Sequence, residues 1–131
     1  MDYKKDIRAL ALAILVVGAM ALYRGVWVEP RAWGAACLDL SAAGTPLACW
    51  PRAGLVWLQH WGLWGLGALA LGVWSFLGAP RAVRAAAVAL GLVALLNHNA
   101  TYGVLGAWLG AWAWARALAA GRTAGGGERP A

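Results

Sequence analysis

Acidic side chains are scarce in this chain. It holds five Asp and Glu residues against eleven Lys and Arg, and no acid falls inside any of its long apolar runs. Proton- and cation-coupled transporters usually keep a carboxylate within the membrane, so that class loses ground. Histidine and cysteine are equally sparse, two of each. Cys37 and Cys49 form neither a CxxC pair nor a metal-ligand pattern, and His60 has no HxxxH partner in its own apolar run. There is no nucleotide-binding loop and no Ser/His/Asp arrangement with usable spacing. The basic residues are not clustered with aromatics on a polar surface, which excludes nucleic acid as a partner.

Apolar residues are what the chain has in quantity. They make up 63% of it, and mean hydropathy is +0.64. A soluble domain of this length cannot keep that surface in water, so the composition points to an integral membrane protein. The Ala/Gly/Arg/Trp-rich bias fits a bacterial inner membrane. At about 20 apolar residues per span, the length allows up to four transmembrane helices.

The first apolar run, Ala9 to Tyr23, follows "KKDIR" and has the form of a signal peptide. The only small-residue cleavage site, "GAAC" before Cys37, lies beyond Arg24, Glu29 and Arg31, too far and too charged for that. An uncleaved span over 7–28 is predicted instead. A second, uncharged run gives a span over 53–78, stopped by Gly78-Ala79-Pro80. The third uncharged stretch, Ala85 to Ala115, would be roughly 46 Å long as one helix, against a hydrocarbon core of ~30 Å. "LLNHNATYG" interrupts it, which predicts two spans, 81–97 and 100–120, joined by a tight hairpin.

Charge bias selects four spans over three. Lys4, Lys5, Arg8, Arg81 and Arg84 mark one face as cytoplasmic under the positive-inside rule, and Arg116, Arg122 and Arg129 share it only if the last run crosses back. The expected fold is therefore all-α, a polytopic four-helix bundle with a short third helix and both termini cytoplasmic. Residues 29–52 form an extracytoplasmic loop and 122–131 a disordered tail. In an oxidising compartment the simplest state of Cys37 and Cys49 is a disulfide closing that loop, the alternative being two free thiols.

Gly106 and Gly110 form a GxxxG pair, extended by Gly103, Ala107 and Ala111, and such small residues let helices approach closely in lipid. The pair serves either packing within the chain or association with another copy. Trp108 and Trp112 point away from it, toward lipid or a partner. Trp57, Trp61 and Trp64 read as a one-sided stripe, either an aromatic belt at the headgroup level or a docking face.

The polar residues concentrate at one depth. Gln59 and His60 lie about 10 Å below the outer end of the second span. A short third span lowers its turn to the same layer, carrying Asn97, His98, Asn99, Thr101 and Tyr102, and Arg24 reaches it from the first span. Much of this has a plain explanation. Asn97 can close the third helix in the left-handed conformation, Asn99 can cap the fourth, and Arg24 can snorkel.

Three functions fit these residues. The first is an accessory, partner-binding subunit of a membrane complex without chemistry of its own, contacting its partner through the Trp57/Trp61/Trp64 face or Gly106/Gly110. The second is a b-type haem electron-transfer protein with His60 and His98 as axial ligands. The third is recognition of an anionic lipid headgroup in the outer leaflet by Arg24, His60, Asn97, His98 and Asn99, with Gln59 and Tyr102 beside them.

Overall fold

A computed structural model describes residues 3–125, and every element in that range is helical. Helix α1 covers Tyr3–Tyr23, with Asp6 in its first turn, where the helix dipole favours a carboxylate. It does not run regularly to Val28, the expected end of the first span. Residues Arg24–Val28 form a π turn, closed by the Glu29 N–H on the Arg24 carbonyl at 3.0 Å. Taken together, Tyr3–Val28 is the one helix among the described residues that is long and apolar enough to cross a membrane; its most apolar window has a mean hydropathy of 2.0.

The loop beyond it carries a short helix, α2 (Arg31–Ala36). A disulfide between Cys37 and Cys49 ties the end of α2 to the start of α3 (Cys49–His60). The second apolar run is then not one helix. It breaks at Trp61 and Gly62, and α4 starts afresh at Leu63 and ends at Phe76. Gly62 holds φ +67 with open space around its Cα, so conformation alone demands glycine there. The break also dissolves the expected tryptophan stripe. Trp57 and Trp61 are exposed, whereas Trp64, on the new helix, is half-buried and donates its indole N–H to the Leu55 carbonyl at 3.4 Å.

Gly78 at φ +110 and Pro80 turn the chain into α5 (Arg81–Leu96), where the fixed proline φ suits the residue before a helix. The hairpin from α5 into α6 (Ala100–Gly125) is tight, but its side chains divide the work differently from the expectation. Asn97 is not left-handed, with φ −101; His98 is, with φ +58. The Asn99 N–H returns to the Ala94 carbonyl at 2.9 Å and the His98 N–H to Leu95 at 3.3 Å, the paired bonds of a Schellman closure. Nor does Asn99 cap α6: its Oδ1 has no hydrogen-bond partner. Helix α6 continues through residues 122–125, expected to be irregular; the rest of the tail lies outside the described residues.

Helices α4, α5 and α6 pack against one another, and α1 rests on α5. Their interfaces are built from the smallest side chains. A methyl group built on Gly106 would overlap the Ala68 backbone, and one on Gly91 would stand 2.6 Å from the Ala107 methyl. Gly110 packs on Ala87 and Arg84 in the same way. Both glycines of the GxxxG pair therefore serve packing within the chain. Large apolar side chains face outward instead, among them Leu15, Leu22, Trp74 and Trp108. This is the reverse of a water-soluble core, where large residues fill the centre.

Candidate functional site: a polar crown over an apolar cleft

The π turn sets Arg24 into the bundle, where the residue is only 6% exposed. Its Nη1 donates to Asn97 Oδ1 at 2.8 Å and to Gln59 Oε1 at 3.2 Å. Asn97, fully buried, donates its own amide to the Val93 carbonyl at 2.9 Å, which fixes the oxygen it offers to Arg24. Asn99 Nδ2 reaches the Gln59 carbonyl at 3.2 Å. Four residues from the end of α1, from α3 and from the α5–α6 turn thus form one connected crown. The counter-charge is weak. Glu29 Oε1 lies 3.8 Å from Arg24 Nε, on a largely exposed side chain in high dielectric.

Of the predicted site residues, Arg24, Gln59, Asn97 and Asn99 come together. His60 is exposed and stands edge-on to Trp61, with ring centroids 5.5 Å apart. His98 is exposed at the turn, and Tyr102 is half exposed beside Gly65. The two imidazoles are surface groups, and among the described residues no group of three or more His, Cys, Asp and Glu could hold a metal ion.

Two features of the site escape sequence reading. One is a cleft of about 510 Å³ between α1 and the α4–α5 pair, lined by Ala9, Val16 and Met20, by Trp64, and by Ala89 and Val93 among others. Its α1 residues recur at helical spacing, a pattern that on its own reads as ordinary packing. The other is Tyr23, which continues that stripe past Met20 and whose hydroxyl is buried with no hydrogen-bond partner. Asn99 Oδ1 is likewise buried and unpartnered, so both residues hold polar capacity that the described hydrogen bonds leave unspent. Such groups suit an anionic or hydroxylated head.

Comparison of the chain with protein-family models, curated proteins and solved structures finds no match.

Proposed function

We propose that the chain is a four-pass membrane protein whose lateral cleft binds an amphiphile, with an apolar tail along α1 and α5 and the head at the Arg24 crown. The outward-facing large apolar residues and the Gly/Ala interfaces support residence in lipid, where close packing rather than the hydrophobic effect holds helices together. The observation that carries the ligand is the continuity of cleft and crown. Met20 and Val93 line the cleft, and Arg24 and Asn97 follow them by one helical turn. From Ala9 to Met20 the cleft runs about 17 Å along α1 at 1.5 Å per residue, close to half of a ~30 Å hydrocarbon core. Its volume falls within the usual range of small-ligand sites.

The test is to purify the protein in mild detergent and identify bound lipid by mass spectrometry. Ala89→Trp, which fills the cleft, is expected to strip the bound amphiphile. Arg24→Gln is expected to keep a tail in place and relax the preference for an anionic head. An unchanged lipid complement in Ala89→Trp would refute the reading.

A second reading, an accessory subunit that docks through tryptophan faces, is favoured by Trp108 and Trp112. Both are exposed, and their rings stack with centroids 6.3 Å apart. Loss of a co-purifying membrane protein in a Trp108→Ala/Trp112→Ala double variant would support it. The haem reading has no comparable observation, since both histidines lie on the surface.

A further inference from the structure

The opposite end of the bundle holds a second pocket, of about 380 Å³, between the first turns of α1 and α5 and the later turns of α6. Asp6, Arg81, Arg84, Trp114 and Leu118 line it. Asp6 Oδ1 accepts from Arg81 Nε at 2.7 Å and from Trp114 Nε1 at 3.0 Å, so a single carboxylate oxygen ties α1 to both α5 and α6. That carboxylate answers Arg81 and leaves Arg84 uncompensated. Arg84 Nε is buried and has no hydrogen-bond partner. Two guanidiniums facing one acid leave the pocket a positive charge in excess. An uncompensated cation and an unmet N–H are both costly away from water. The arginines also stand in the first turn of α5, which contains no acid and where exposed N–H groups already carry partial positive charge.

We propose that this pocket binds a phosphate-type anion, with Arg84 as its principal donor and Arg81, held in place by Asp6, as the second. A planar guanidinium matches two phosphate oxygens at once. The phosphate can belong to a phospholipid headgroup or to a free ion in solution. Both present the same chemistry to Arg84. The site stands apart from the Arg24 crown and does not depend on the cleft being filled.

The test uses the full-length protein in detergent with two probes. Inorganic phosphate is followed by calorimetry, and phosphatidylglycerol, against a phosphatidylcholine control, by native mass spectrometry. Saturable one-to-one binding is expected with at least one probe. Binding of both identifies a phosphate site as such, and binding of phosphatidylglycerol alone identifies a headgroup site. Measured in an Arg24→Gln background, which takes the crown out of the comparison, Arg84→Gln is expected to weaken binding about tenfold or more, the usual worth of a charge-assisted bond. Asp6→Asn removes the competing carboxylate and is expected to tighten it. If Arg84→Gln fails to fold, Arg84→Lys decides: it keeps the charge, loses Nε, and should bind severalfold more weakly. No saturable binding of either probe to the wild type, or wild-type affinity in the Arg84 variant that folds, overturns the proposal.

Discussion

Arg24 holds a full charge at 6% exposure, and its nearest partners are neutral amides. That makes Asn97 the residue on which the crown depends, because its oxygen makes the shortest bond to the guanidinium and is itself aimed by the Val93 carbonyl. Asn97→Ala removes the acceptor and leaves an N–H of a buried cation unmet. The expected loss is about 1.5–3 kcal/mol, the range for hydrogen bonds to charged groups, read as earlier unfolding in a denaturing-detergent titration. Gln59→Ala removes a longer, partly exposed bond and is expected to cost less. His98 behaves in the opposite way. It occupies a left-handed position at φ +58 that glycine fills without steric cost. His98→Gly is therefore expected to stabilise the hairpin by about 0.5–1 kcal/mol. A melting temperature that falls in this variant would mean that the imidazole makes contacts absent from the geometry described above. The sequence brings these polar residues to one layer by length alone. It cannot say which of three adjacent turn residues takes the left-handed position, because the asparagines suit it better than histidine and tertiary bonds to Arg24 and Gln59 decide otherwise.

Legibility changes from one helix to the next. The stop at Gly78-Ala79-Pro80 is readable because proline cannot continue a helix, and α5 begins at Arg81 as expected. The break at Gly62 is not readable, since glycine is common within transmembrane helices and the run around it stays uniformly apolar. The π turn at Arg24 is hidden for a deeper reason: it inserts one residue into the backbone ladder and leaves no mark in composition. The small-residue face of α6 is readable as a face, but what it meets is settled only in three dimensions. Glycines can therefore be sorted by what surrounds them. A methyl group on Gly106 collides with the backbone of Ala68, which cannot move aside as a flexible side chain could. Gly106→Ala is expected to cost about 1–3 kcal/mol as overpacking. On α1, Gly18 has nothing within 4 Å of such a methyl. Gly18→Ala is expected to be neutral or to gain up to about 1 kcal/mol of helix propensity. Equal destabilisation by both substitutions in the same unfolding assay would show that α1 is covered along that face.

For the whole molecule, two polar ends bound an apolar middle. One end carries the disulfide loop and the Arg24 crown; the other carries Asp6, Arg81 and Arg84. A helix of 16 residues such as α5 is about 24 Å long, shorter than the ~30 Å core. The crown would then sit below the headgroups, within reach of an amphiphile but screened from bulk water. Four passes place the 37–49 loop and the α5–α6 turn on one side, and the α4–α5 turn and residue 123 on the other. Three passes would move residue 123 to the side of the loop. Single cysteines separate the two arrangements in a background where Cys37 and Cys49 are both serine. Thr45→Cys, in the exposed loop, is expected to react with a membrane-impermeant maleimide added to intact cells. Leu77→Cys, exposed at the end of α4, and Thr123→Cys are expected to react only after the cells are opened. Labelling of Thr123→Cys in intact cells, with Leu77→Cys still protected, would put the last helix end outside. The positive-inside bias of Arg116 and Arg122 would then be broken, and the four-pass arrangement with it.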